Sequence, residues 1–424
     1  MRSLLRQLLG VLRGGRTAWS IFGLVLLLIA LGEFGLRGIF WLKDRGQPAI
    51  PPDPRVLEAL DGSAAWLPVH YRELESLNDR WQPFVYFRQR PFRGRTITVD
   101  EDGTRAIWKP AGPRVTAADK ASPLKLLLLG GSSLWGFGAR DDRTIPSHLA
   151  RKFHERGIAV EVRSLAEIGY VNTQEVIALA RELQAGYRPD LVLFYDGVND
   201  TTSALLERRA AVSTNEVNRV REFNILQSPS RLAAALGSNL VRHSAWYRLA
   251  GSIGRRLAPP AAREPGSSAE LRPLAREVVR CYAANMTLVK ALGRAYGFRA
   301  LFAWQPVIFR KAALVPFERE ESDKFGWTRE LFRQVREELE TSPAPGSDPD
   351  FIDLSGIFEQ TAALVFLDFC HTTEAANETI AEELIERLAP AIERHGERRG
   401  RPRKYQESET MSHGSGKDEN IGYR

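Results

Sequence analysis

The sequence predicts an α/β protein, a three-layer sandwich around a central parallel sheet, preceded by one N-terminal transmembrane helix. Two observations carry the sandwich. Short apolar runs, such as Leu124 to Gly131 and Leu191 to Tyr195, alternate along the chain with longer segments of helical pattern. Strands buried on both faces read as such runs, and strands alternating with helices imply a parallel sheet covered on both sides. The third observation, for the helix, is that Trp19 to Leu31 is almost purely apolar.

A helix needs about 20 residues to cross ~30 Å of hydrocarbon. Residues 18–42 are long enough if Glu33 and Arg37 lie near the far interface, where their spacing of four lets them pair. Trp19 and Trp41 sit where interfacial aromatics are expected, and Arg2, Arg6, Arg13 and Arg16 precede the span with no acid among residues 1–17. The expectation is a single-pass protein of the cell inner membrane, with its N-terminus in the cytoplasm and its main domain outside. The competing reading is a cleaved signal peptide, for which Ala30-Leu31-Gly32 is the nearest small-residue site; the uncleaved anchor fits better.

Residues 43–122 are rich in Pro, Arg and aromatics and read as a β-containing lead-in. Thr96 to Val99, a turn at Asp102-Gly103 and a return through Ala106 to Trp108 read as a hairpin; residues 111–123 read as a loop. The main domain, residues 123–395, starts with the Leu124 strand. Helices are expected at residues 144–156, 173–184, 274–296, 330–340 and 373–392. Strands are expected at 160–165, 190–196, 299–305 and 351–354. Residues 201–270 interrupt that rhythm with a charged helical stretch at 205–223, an apolar stretch at 232–240 and a Pro/Gly/Ser-rich segment at 259–268. They read either as a surface insertion or as a lid or substrate platform. Residues 396–424 are polar and expected to be disordered.

With 424 residues, 43% hydrophobic and 26% charged, the chain is of ordinary globular composition. The net charge of +7 needs no nucleic acid: the membrane accounts for the N-terminal arginines, and no zinc-finger spacing or RNA-binding aromatic signature accompanies the charge. Cys281 and Cys370 are far apart and read as separate thiols. Cys370 and His371 are adjacent, a poor arrangement for one ion, so neither metal nor cofactor is expected.

Three loops at expected strand ends, where open α/β sheets bind ligands, carry chemistry. Gly130-Gly131-Ser132-Ser133-Leu134-Trp135-Gly136-Phe137-Gly138 exposes a serine on a sharp turn, without the G-x-S-x-G of a nucleophile elbow or the Gly-Lys-Ser/Thr of a phosphate loop. Asp196-Gly197-Val198-Asn199-Asp200 places an amide able to donate to an oxyanion, though alone it is an ordinary turn. In Asp368-Phe369-Cys370-His371, a carboxylate three residues before a histidine can hold Nδ1–H and leave Nε2 as general base. The other histidines have no such carboxylate and read as surface or packing residues.

In this order the three loops resemble the blocks of the SGNH hydrolases, or GDSL-like esterases, over residues 123–395. Gly130 to Gly138 keeps the spacing of G-D-S-L-T-x-G-x-G, with Gly131 at the Asp position and Ser132 at the nucleophile. Gly197-x-Asn199-Asp200 and Asp368-x-x-His371 match the third and last blocks in full. The second block, Asn-x-Gly-x-x-Gly, is replaced by Ser164-Leu165-Ala166-Glu167-Ile168-Gly169, where Ala166 keeps the backbone donor. The resemblance implies a flavodoxin-like sheet, Ser132, His371 and Asp368 as catalytic residues, and an oxyanion hole from the Ser132 and Ala166 N–H groups and the Asn199 side chain. Ser133 is the alternative nucleophile, disfavoured by the register of Gly136 and Gly138. Trp304 and Gln305, at a strand end, are candidates to stack on and hydrogen-bond a sugar. The expected activity is ester hydrolysis through an acyl-enzyme, on O-acylated carbohydrate, possible polysaccharide included, or other small acyl esters. The alternatives are an O-acyltransferase of exopolysaccharide or cell-wall modification and an inactive scaffold of the same fold.

Overall fold

The apolar runs become the strands of one parallel sheet. The computed structural model describes residues 2–44, 53–60, 64–110, 123–225, 227–257 and 267–400. The lead-in contributes two antiparallel pairs, β1 (Asp79–Gln82) with β2 (Tyr86–Gln89) and β3 (Phe92–Arg93) with β4 (Thr98–Val99). The main domain contributes β5 (Leu124–Gly130), β6 (Val160–Ser164), β7 (Leu191–Asp196), β8 (Arg299–Trp304) and β9 (Phe351–Asp353). These five pair in parallel in the order β6-β5-β7-β8-β9. Counted along the domain this is 2-1-3-4-5, the flavodoxin-like order, whose switch point lies between β5 and β7.

Side-chain alternation along the strands divides the core in two. Leu126, Leu128, Leu193 and Leu301 face the helices Ile145–Glu155 and Glu374–Gly400, with Leu149, Phe153, Ile380 and Leu384 opposite. Leu127, Leu129, Val192, Phe194 and Phe302 face the helices Asn172–Gln184, Ser268–Tyr296 and Gly326–Thr341, with Leu179, Val278, Tyr282 and Leu331 opposite. Each such side chain, fully buried, contributes about 1.5–3 kcal/mol. The result is the three-layer sandwich.

The helix of the N-terminal region is continuous from Arg2 to Asp44, and its Trp19–Lys43 segment is long and apolar enough to cross a membrane. A signal sequence passes the same test of length and composition.

The structure departs from expectation in four places. The hairpin after Thr96 is not formed as read: β4 pairs back with β3, and beyond the turn only a single bridge joins Val99 to Arg105. The helix expected at 205–223 is two, Val198–Glu207 and Glu216–Ile225, because Arg208, Ala211 and Asn215 adopt positive φ between them. Helices Ala245–Leu257 and Pro316–Lys324 were not foreseen. The closing helix runs to Gly400 rather than ending near residue 392. The expected loop at 111–122, most of the segment 259–268, and residues 401–424 of the tail lie outside the described residues.

Candidate active site

Strands β5 and β7 end side by side, and the segments that leave them converge at the switch point. Beyond Gly130 the chain turns into a short helix, Ser132–Trp135, so the Ser132 N–H has no partner within its helix. Ser132 Oγ lies 2.7 Å from His371 Nε2, and His371 Nδ1 lies 2.5 Å from Asp368 Oδ2. The other Asp368 oxygen accepts the N–H groups of Cys370 and His371, both at 2.8 Å, so the carboxylate is fixed by its own turn. Burial alone would raise the Asp368 carboxyl; the adjacent His371 and those two N–H groups outweigh it and hold the carboxyl below its ordinary value. Phe137 stacks on the imidazole with centroids 4.4 Å apart. The serine, histidine and carboxylate thus form one hydrogen-bonded chain able to pass a proton.

Asn199 lies in the first turn of the helix Val198–Glu207, directly after β7. Its Nδ2 donates to the Tyr170 carbonyl at 2.7 Å, which leaves the second amide hydrogen. It also explains Gly131: a Cβ there would meet Asn199 Nδ2 at 2.2 Å. The Ala166 N–H faces Ser164 Oγ at 3.3 Å, a long bond that an incoming oxyanion can replace.

The sheet has the flavodoxin-like order, and the three loops that resemble SGNH blocks stand at its strand ends. Among solved structures the chain is similar to an acetyl xylan esterase, AlAXEase (12% identity, 62% of this chain and 98% of that one, TM-score 0.33). It is also similar to a lipolytic protein of the G-D-S-L family from Veillonella parvula (11%, 62% and 97%, 0.32) and to the lipase/acylhydrolase from Enterococcus faecalis (12%, 63% and 96%, 0.33). No family model and no curated protein matches the sequence.

The two sugar-contact candidates are placed differently from expectation. Trp304 is only 6% exposed and packs edge-on against Tyr282, so its ring has no free face for a sugar. Gln305 is also buried, and its Nε2 donates to Ser133 Oγ at 3.0 Å. Ser133 in turn donates to the Cys370 carbonyl at 3.3 Å. The second serine therefore ties the first block to the last, and no base stands beside it. Asp368, Cys370 and His371 bring potential ligand atoms within 4.8 Å of one another, but His371 Nδ1 is already engaged by Asp368.

Several supporting residues escaped the sequence reading. Under Asn199 lie Glu175, Asp196 and Asp200, all buried. Asn172 donates its Nδ2 to Asp196 Oδ2 at 2.8 Å and its backbone N–H to Asp200 Oδ1 at 3.1 Å. Burial pushes Asp196 up to about 8 and Asp200 up to about 6, and raises Glu175 too, with Asp196 beside it adding to the shift. Phe137, Asp196 and Asp200 stood inside loops that the sequence marked, but without a role of their own; Glu175, on a separate helix, had no signal.

Proposed function

We propose that this chain is a serine esterase held at the inner membrane by its N-terminal helix, with the catalytic domain outside the cytoplasm. Its substrates are O-acylated carbohydrate or other small acyl esters. The observation that carries the reading is the unbroken chain from Ser132 Oγ through His371 to Asp368.

In this mechanism His371 Nε2 accepts the Ser132 proton as Oγ bonds to the acyl carbon. Asp368 stabilises the imidazolium that forms. The carbonyl oxygen gains the negative charge, met by the N–H groups of Ser132 and Ala166 and the free hydrogen of the Asn199 amide. His371 then gives its proton to the departing alcohol oxygen, which leaves an acyl-serine. Water, deprotonated by the same His371, attacks the acyl carbon; the acid departs and Ser132 regains its proton.

The test uses the full chain in detergent micelles with acetylated oligosaccharides and p-nitrophenyl esters of increasing chain length. The reading expects free acid and alcohol in equal amounts, with short acyl groups preferred. Acyl transfer to an added sugar hydroxyl in place of acid release would make the chain a transferase. Failure of the folded protein to turn over any ester would remove the enzymatic reading.

A further inference from the structure

The helices Pro229–Arg242 and Ala245–Leu257 turn a strip of apolar side chains outward. Leu232, Leu236, Leu240 and Ile253 are 37%, 59%, 78% and 49% exposed. No side chain of Pro229–Arg242 is buried. Leu232, Leu236 and Leu240 recur every four residues and so share one face, with Ser238 on the opposite one. A contiguous apolar surface of this kind marks a contact.

Its neighbour identifies the contact. The helix Ala245–Leu257 is seated on the apolar N-terminal helix. Both Glu33 oxygens accept the Ala245 N–H at 2.8 Å, and Arg37 pairs with Glu33 at 2.7 Å while donating to the His243 carbonyl at 3.1 Å. Trp246 Nε1 donates to the Ile29 carbonyl at 3.1 Å. Its ring lies so close to Gly32 that a Cβ there would be 2.2 Å from it, so glycine is what admits the indole. Glu33, the acid that interrupts the apolar segment, thereby has a cation and helix N–H groups as partners, as a charge at membrane depth requires.

The helix Ala245–Leu257 thereby links the strip to the N-terminal helix, where Leu26, Leu27, Leu28 and Leu31 are each at least half exposed. At the junction, Arg37, Arg242 and Arg248 with Phe40, Trp41 and Tyr247 line a cavity of about 640 Å³. Arginines and aromatic rings bordering an apolar strip match the phosphate and headgroup layer of a phospholipid bilayer.

We infer that the helices Pro229–Arg242 and Ala245–Leu257 lie in the surface of the phospholipid bilayer beside the anchor, with their apolar strip in the acyl boundary and Arg37, Arg242 and Arg248 among the lipid phosphates. This rests on the anchor reading. The insertion leaves the domain through the helix that carries Asn199, so its seating fixes how the catalytic domain faces the membrane.

The test is a depth measurement on the full-length chain in phospholipid nanodiscs. In a Cys281→Ser background, nitroxides are placed one at a time through Leu26→Cys, Ser238→Cys, Leu240→Cys and Ile253→Cys. Collision with oxygen, which partitions into lipid, is compared with collision with a water-soluble nickel chelate. The labels at 26, 240 and 253 are expected to favour oxygen severalfold over the label at 238. Adding Arg242→Glu and Arg248→Glu should shift the 240 label towards nickel. If 26 favours oxygen while 240 and 253 match 238, the inference is wrong and the anchor stands. If 26 also matches 238, both are wrong. An unchanged 240 label in the double glutamate variant would remove the arginines from the account.

Discussion

Ser132 and Ser133 are adjacent hydroxyls with different surroundings, and that difference decides which is able to react. Ser132 Oγ faces His371 Nε2, whereas Ser133 Oγ is taken by the Gln305 amide and the Cys370 carbonyl. Ser133→Ala is expected to keep the mechanism and lose about 1 kcal/mol of stability with its hydrogen bonds. Steady-state ester kinetics with thermal unfolding of the same variant check this. Gly131→Ala should act through Asn199: the added methyl displaces the amide, and loss of one oxyanion donor costs about 10²–10³ in kcat. KM should change little, because the donor acts mainly in the transition state; an equal rise in KM would mean the methyl blocks binding. The nucleophile block, the Asn199 loop and the Asp–His pair were legible in the sequence because each is a short run of fixed spacing. Trp304 and Gln305 were misread because a residue at a strand end faces either the cleft or the core, and sequence does not say which.

At the scale of elements, the lead-in acts as a brace for the loops of Ser132 and Ala166. Arg105, buried among main-chain carbonyls, donates to those of Trp135 at 3.1 Å, Gly136 at 2.5 Å and Ala139 at 2.6 Å, and pairs with Asp141 at 2.9 Å. His70 Nε2 holds the carbonyl of Phe137, the residue stacked on His371, at 2.8 Å. Arg88 donates to the Leu165 carbonyl at 3.1 Å, Glu167 accepts the Gln89 N–H at 3.1 Å, and the Tyr170 hydroxyl donates to the Phe87 carbonyl at 2.5 Å. Together these hold the loop of Ala166, where the SGNH pattern of Asn and Gly is missing. Arg105→Ala should cost about 3–5 kcal/mol, since it leaves Asp141 without its buried cation and removes the guanidinium donors from the Trp135 and Ala139 carbonyls; Arg105→Lys should restore only part, because an ammonium lacks the planar fork. Chemical denaturation of the full chain in micelles measures both. Arg88→Ala should lower kcat more than stability. These ties were invisible in the sequence: a single long-range bond from an arginine to a carbonyl leaves no periodicity, whereas strands β5 to β8 announce themselves as apolar runs. The helix Ala245–Leu257 was missed for a related reason, as Gly251 and Gly254 break up a pattern that is completed by the N-terminal helix rather than by the core.

For the molecule as a whole, the buried acids under Asn199 set a pH dependence. A carboxyl raised in the folded state contributes stability that is fully present below its unfolded value and is lost as pH rises through the folded one. For Asp196 that window runs from its ordinary 3.8 to about 8, with Asp200 adding a loss up to about 6. The thermal midpoint should therefore decline from about pH 4 to about pH 8, and Glu175→Gln, which removes one ionisable partner, should flatten the decline. A slope unchanged in that variant would place the titration elsewhere. The three-layer architecture was readable from the alternation of runs and helices, and the N-terminal helix from its composition. The way the insertion seats on that helix was not, because it depends on Glu33, Gly32 and Trp246 meeting across two hundred residues of chain.

The central claim is that Ser132 is the nucleophile of an esterase. The measurement that tests it most directly is labelling of the full chain in micelles by a serine-reactive fluorophosphonate, with p-nitrophenyl acetate turnover, for wild type, Ser132→Ala and Ser133→Ala. The account predicts labelling and turnover in wild type and Ser133→Ala, and neither in Ser132→Ala. Labelling that survives Ser132→Ala and disappears in Ser133→Ala would contradict it.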